Sequence, residues 1–251
     1  RNRGAIDMFE PGSTIKPFEG LGGIHYGLRD WETIIYDPGY FSLPGDSHRF
    51  RVWKGGGHGT VDLNKSIMMS VVTYTYKLAY EMGIQRLHDW MVRCGFGEQT
   101  GIDFPNEKSG VMPSPKWKKD TYDKGWLPGE PISVSIGQGY FLATPLQIAN
   151  ATAMTANKGY HITPHLLKSS DGAAAVNVIS KPDGKLDYNG KPSDWTRMHD
   201  AMEQTVKAGT ARGIYTPRYR IAGKTGTAQV KSIAQGKSYN KAALDKRHWD
   251  H

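Results

Sequence analysis

The chain has 251 residues, a formal charge of +8, and 38% hydrophobic and 11% aromatic residues, which suits a folded globular protein and excludes a disordered one. No apolar run reaches the roughly eighteen residues of a membrane-spanning helix, and no signal peptide is visible. One cysteine, Cys94, excludes an internal disulfide, and the lack of dense basic runs and of zinc-finger spacing argues against nucleic-acid binding.

Pro11-Gly12 predicts a tight entry into a helix that starts at Ser13 and ends in a polar turn between Leu21 and Asp30. Ser13 and Lys16 stand three apart, hence on one helical face. A serine hydroxyl is a weak nucleophile until a base takes its proton, and a lysine is such a base only when burial or another cation lowers its pKa. At a helix N-terminus, free N–H groups favour developing negative charge. A capping serine followed by a surface lysine fits the same spacing, and Ser238-Tyr-Asn-Lys241 repeats it.

From Trp31 to Gly59, aromatics with Asp37-Pro38-Gly39 and Gly55-Gly56-Gly57 predict an extended, loop-like excursion. The glycine triplet lacks the Gly-Lys-Ser/Thr of a phosphate loop. Asp37, His48 and His58 lack tight metal-ligand spacing and read as solvated or hydrogen-bonded side chains. Asp62 caps a helix through Leu63, Ile67 and Met68. A second helical run carries Tyr76 to Met82, and a third runs from Ile84 to Cys94, which is expected as a small buried hydrophobe. Residues 96–130 read as a long surface connection. Ile132-Ser-Val-Ser-Ile136 alternates, Gly137-Gln138-Gly139 turns, and Thr144-Pro145 opens a helix ending near Gly159. A polar excursion or hairpin spans Ser169 to Asn189, and Ser193 caps a helix over Asp194–Lys207 closed by Gly209. Arg220 to Val230, rich in β-branched and small residues, predicts a strand, with glycines where something approaches the backbone. Residues 231–251 are polar and patternless.

Three pieces form a constellation. Ser13 and Lys16 supply a nucleophile and a base. Ser70, between helical runs, offers a second hydroxyl. Lys224-Thr225-Gly226-Thr227 offers an ammonium, two hydroxyls and an approachable backbone able to hold a carboxylate and an extended peptide. The N–H groups of Ser13 and Thr227 could form an oxyanion hole.

S-x-x-K with a later K-T-G is the signature of penicillin-binding proteins and class A β-lactamases. Pro11–Phe18, Leu78–Ile84, Gly95–Asp103, Ile136–Tyr140 with Thr144-Pro145, and Ala222–Val230 resemble the penicillin-binding protein 2 family, the elongation-specific monofunctional transpeptidases of Gram-negative rods. No Glu is placed to act as a deacylating base, which argues against a β-lactamase.

The resemblance implies an α+β transpeptidase fold of the penicillin-binding protein and serine β-lactamase type, with a helical subdomain packed on an antiparallel sheet. It implies one transpeptidase domain over residues 1–251 whose terminal sheet segments are missing, and Lys224 on the surviving edge. Its activity would be acyl transfer on stem peptides ending in D-Ala-D-Ala. In that scheme Ser13 attacks, Lys16 takes its proton, Ser70 relays a proton to the leaving group, and Lys224, Thr225, Gly226 and Thr227 hold the substrate. β-Lactams would acylate Ser13. No cofactor and no nucleic acid are implied. Cell-wall elongation proteins are the expected partners, at the periplasmic face of the inner membrane, with any membrane anchor in a missing N-terminal part. The surplus positive charge fits an anionic wall or lipid surface, or an ordinary basic exterior.

Two departures stand out. The middle motif is Ser70-Val71-Val72, where the family has Ser-x-Asn or Ser-x-Asp, so a polar contact is lost and slower acylation is expected. Some relatives bind a structural metal through Asp, Asp, His and Cys; here Asp37 and His58 remain but Val52 and Val71 replace the others, so no bound metal is expected. A non-catalytic relative that binds elongation partners is the alternative reading.

Overall fold

The computed structural model describes residues 2–52, 54–170, 176–177 and 181–227. In chain order, α1 (Arg3–Ile6) leads to a 3-10 turn (Gly12–Ile15) that continues into α2 (Lys16–His25). Next come β1 (Ile35–Asp37), β2 (Tyr40–Phe41), β3 (Phe50–Arg51) and β4 (Gly59–Val61), then α3 (Leu63–Met68), α4 (Val72–Arg93), α5 (Pro115–Tyr122) and α6 (Glu130–Ser135). The rest comprises α7 (Pro145–Ala156), β5 (Tyr160–His161), β6 (Ser169–Ser170), β7 (Val176–Asn177), β8 (Gly184–Lys185) and α8 (Ser193–Lys207).

Local chemistry explains the helix starts. Asp62 caps α3 by accepting from Lys65 N at 2.7 Å. Thr144 and Gln147 form a reciprocal capping box with Pro145 in the first turn of α7. Pro192 takes the N-cap position of α8, so Ser193 is its first helical residue rather than its cap. The two runs expected on either side of Gly83 are limbs of one element, α4, broken by that glycine at φ 73 and ψ 157.

Several expectations are corrected. The excursion at 31–59 is not all loop: β2 and β3 pair within it, with Tyr40 opposite Arg51, and β1 pairs with β4 at its end, with Ile35 opposite Val61. The connection at 96–130 contains α5, capped by Ser114, and the alternating Ile132–Ile136 segment lies largely in α6. Ser169–Ser170 and Val176–Asn177 do form a hairpin-like pair. The strand expected from Arg220 is not formed by the described part of that segment: residues 220–227 pair with no strand, and Gly223 N instead donates to Met202 O on α8. A run of β-branched residues needs a neighbouring strand to complete its ladder. The fold class is nonetheless α+β, a helical body carrying small antiparallel pairs; among the described residues no larger sheet holds Lys224. Ala228, Gln229, Val230 and the Ser238–Lys241 repeat lie outside the described residues.

The core forms where α2, α3, α4 and α8 meet. Ile15, Phe18 and Leu21 pack against Leu78, Leu87, Trp90 and Met91, while Leu63 and Ile67 face Met198 and Ala201. Trp90 is fully buried and its Nε1 donates to Phe18 O at 2.7 Å, tying α4 to α2. Asp194, at the start of α8, accepts from Trp31 Nε1, the Tyr188 hydroxyl and Lys191 N. Cys94 is buried as expected, and burial pushes its thiol pKa well up, which keeps it unreactive.

Candidate active site

Two close approaches join distant parts of the chain into one cleft. Gly12 has φ 56, and a Cβ there would stand 2.5 Å from Thr227 O, so the turn before Ser13 and the end of the Lys224 segment touch through bare backbone. Gly12 N also donates to Gly137 O at 2.9 Å, bringing in the turn after α6.

The resulting cleft, about 700 Å³, is lined by Ser13, Ser70, Thr225, Gly226 and Thr227. Arg51, Tyr76, Gln138 and Thr210 are among its other wall residues. Ser13 is half-buried at the 3-10 turn that leads into α2. Ser70 has φ 56, a conformation uncommon outside glycine, in the two-residue link between Met69 and α4.

Lys16 reaches the cleft from beneath. It is buried, and its Nζ donates to Ser70 O at 2.9 Å and to Ser70 Oγ at 3.2 Å. Burial first, and then the Lys224 charge, hold its pKa well below the usual lysine value. Those are the two conditions under which a lysine can serve as a base. The Lys16 amine bonds to Ser70, and no hydrogen bond joins it to Ser13.

Lys224 does not line the cleft. It stands behind it, beside Thr14, Phe18 and Met202, with Nζ donating to Thr225 O at 3.0 Å and Thr225 Oγ1 at 3.4 Å. Burial lowers its pKa to about 8. The sequence motif therefore converges in part: Ser13, Ser70 and Thr225–Thr227 share one cavity, Lys16 joins it from the core, and Lys224 acts on Lys16 through its charge and on the cleft through Thr225.

Some participants carry no motif. Thr210 Oγ1 lies 2.7 Å from Thr225 Oγ1 and steadies that hydroxyl; it follows the glycine that closes α8, a position with no local chemical signal. Arg220 donates through Nε to both carboxylate oxygens of Glu203, at 3.1 and 3.0 Å, anchoring the approach to Lys224 on α8. That hydrogen bond, with help from Lys207, pulls the Glu203 pKa down to about 2. Because the folded pKa is depressed, this anchoring is present above the unfolded carboxylate range and is lost as pH falls toward 2. Glu203→Gln is expected to flatten the fall in melting temperature between pH 5 and pH 2 by thermal denaturation; an unchanged slope would contradict the assignment.

Val72 lines the cleft and packs with Tyr76 and Ile136 in a second apolar cluster with Leu43 and Ile132, giving an apolar wall where the sequence resemblance implied a polar side chain. Asp37 does not stand ready for a metal. Its Oδ1 accepts from Gly39 N, and its Oδ2 accepts from His58 N and contacts His58 Nδ1 at 2.8 Å. Val71 is in the core and Val52 lines the cleft. Among the described residues no three His, Cys, Asp or Glu side chains converge, and this set does not fit a closed tetrahedral metal site.

The family model of the penicillin binding protein transpeptidase domain matches residues 1–249. The peptidoglycan D,D-transpeptidase MrdA of Acinetobacter baumannii is 57% identical over 250 residues, covering 100% of this chain and 37% of that protein. Its counterpart from Escherichia coli K12 is 37% identical over 257 residues, covering 100% of this chain and 40% of that protein. The chain thus spans about two fifths of the length of these relatives. Among solved structures, Pseudomonas aeruginosa PBP2 in complex with WCK 5153 superposes with a TM-score of 0.83 at 44% identity, over 92% of this chain and 52% of that one. Helicobacter pylori PBP2 in complex with MreC superposes with a TM-score of 0.80 at 33% identity, over 91% of this chain and 42% of that one. A match over nearly every residue, joined to a cleft built from the serine, lysine and K-T-G segments, places the chain in the penicillin-binding protein transpeptidase domain family.

Proposed function

We propose that this chain is the transpeptidase domain of a peptidoglycan D,D-transpeptidase that works through a serine acyl-enzyme. The observation that carries the reading is the buried Lys16 amine, 3.2 Å from Ser70 Oγ, under a cleft shared with Ser13 and Thr225–Thr227. Ser13 Oγ attacks the carbonyl of the penultimate D-Ala while its proton passes to Lys16. The tetrahedral oxyanion is held by the N–H groups of Ser13 and Thr227. Ser70 passes the proton on to the departing D-Ala amine. An amine of a neighbouring stem peptide then attacks the ester, forming the cross-link and returning the Ser13 hydroxyl. The Thr225 and Thr227 hydroxyls hold the terminal carboxylate, with Lys224 supplying positive charge from behind Thr225, and β-lactams enter the same route. Elongation proteins of the kind named with the Helicobacter relative are the partner class, and the periplasmic face of the inner membrane is the place of work.

A fluorescent penicillin is expected to leave a covalent band that Ser13→Ala abolishes. Absence of the band in folded protein favours the second reading, a non-catalytic relative that binds elongation partners. Val72 is the observation that supports that alternative, since it removes a hydrogen-bonding group from the cleft wall. On the catalytic reading, Val72→Asp restores a polar contact and raises the acylation rate by about tenfold or more, the size of one modest transition-state hydrogen bond; an unchanged rate would remove Val72 from the account.

The two lysines set opposite limbs of the pH profile. Lys16 accepts a proton only when neutral, so the rate rises with pH on its acid side. Lys224 draws a carboxylate to the Thr225 side of the cleft only as an ammonium, so the rate falls as pH rises through about 8. Lys224→Arg, always charged, is expected to move the alkaline limb upward when acylation is followed from pH 6 to 10; a limb left in place would assign it elsewhere.

A further inference from the structure

Glu19 lies on α2 three residues beyond Lys16, so the two side chains share one helical face. It is only 1% exposed, and neither carboxylate oxygen has a hydrogen-bond partner among the described residues. Such a carboxyl costs stability wherever it is found, and leucine or methionine would fill the space more cheaply. The gap it shares with Lys16 is lined also by Ser66, Tyr74, Thr75 and Leu78 and measures about 10 Å³, too small for more than a water. Bulk solvent therefore does not solvate this carboxyl.

The charged and titratable surroundings are few. On its own helix Glu19 has Lys16. From α4 it faces Tyr74, over whose ring the Arg29 guanidinium stands at 5.8 Å. α3 contributes Leu63, Ser66 and Ile67, while Lys65 turns away to donate to His58 O and Thr60 O. α8 approaches this stretch of α2 with Met198. Lys224 adds a positive charge that acts on Lys16. Lys16 thus has one like charge acting against its protonation and one acidic group beside it on its own helix.

We propose that Glu19 is a positioning residue for acylation: its carboxylate is the counter-charge that lets the buried Lys16 amine take up the Ser13 proton. This rests on the acyl-transfer reading above and deepens it. In the step concerned, the Ser13 O–H bond breaks as the Oγ–acyl bond forms, and the proton ends on Lys16 as an ammonium with little water to solvate it. A negative charge one helical turn away offsets that cost; without it, burial and Lys224 both act against protonation. Burial pushes the Glu19 carboxyl well up and the Lys16 amine well down, and each charge opposes the other's shift, so the two titrate as a pair.

The test is the pH dependence of acylation by a fluorescent penicillin, measured on the whole chain and on Glu19→Gln and Glu19→Met. Both variants keep the volume and remove the charge. Losing the carboxylate lowers the proton affinity of Lys16, so the acid limb is expected to move to lower pH by about one unit, a tenfold change, in both. The plateau rate is expected to fall as the base weakens. A packing role would lower the melting temperature and leave the limb in place, so an unmoved limb, or one moved to higher pH, overturns the role of Glu19 while the acyl-transfer reading stands. A parent chain that takes no label overturns both.

Discussion

Replacing Lys16 by methionine is expected to lower the rate of acylation by a penicillin by about 10²–10⁴-fold, the range lost with a general base, while leaving the protein folded. The argument turns on burial. Lys16 is only 2% exposed, and its amine spends its hydrogen bonds on Ser70 alone. In the unfolded chain this lysine binds a proton near its ordinary pKa, whereas burial and Lys224 lower that affinity in the folded state. The unfolded state therefore holds more protons at neutral pH, and the lysine destabilises the fold there. Methionine removes that burden and fills the same space but leaves the buried Glu19 carboxyl without its cation, so the melting temperature is expected to be unchanged or higher when Glu19→Gln accompanies it. Stopped-flow labelling and a thermal melt on one preparation check both halves. A variant that labels at the parent rate would show that Lys16 is not the base. One that unfolds would show that its role is structural.

The second large effect is expected at Trp90. It is fully buried between α4 and α2 and holds Phe18 O through its indole N–H at 2.7 Å. Trp90→Ala removes a fully buried tryptophan from the core together with its hydrogen bond to Phe18 O. Such truncations cost about 3–5 kcal/mol, a large share of the stability of most domains. Because α2 carries Lys16, labelling should be lost in proportion to the unfolded fraction, and not through a slower chemical step. Denaturant midpoints measured beside the labelling amplitude separate the two. A loss below about 1 kcal/mol would mean that the α2–α4 contact is not the centre of the core.

What was legible in the sequence was short-range. Asp62, Thr144 with Pro145 and the pairing of Ser13 with Lys16 each act within one helical turn, where spacing alone decides who meets whom. The K-T-G segment was legible by its residue types. Pairings that depend on a distant partner were not. β1 to β4 are two or three residues long and owe their existence to each other across the excursion, so no alternation announces them. The Ile132–Ile136 segment alternates like a strand, yet Pro131 in the first turn and burial of Ile132, Val134 and Ser135 carry it as a helix. Residues 220–227 show the reverse: strand-like composition without a neighbour to pair with among the described residues. At the site, Thr210 and Glu19 went unread for different reasons. Thr210 meets Thr225 only through the fold. Glu19 was within reach of the i, i+3 rule, but nothing in a lone glutamate says that it will be buried.

The acyl-transfer account is tested most directly by mass spectrometry of the whole chain after exposure to a penicillin, with the adduct mapped by peptide digestion. The account predicts one added penicillin per chain, carried on Ser13. Folded protein that stays unmodified, or an adduct found on Ser70 or on a surface side chain, would contradict it.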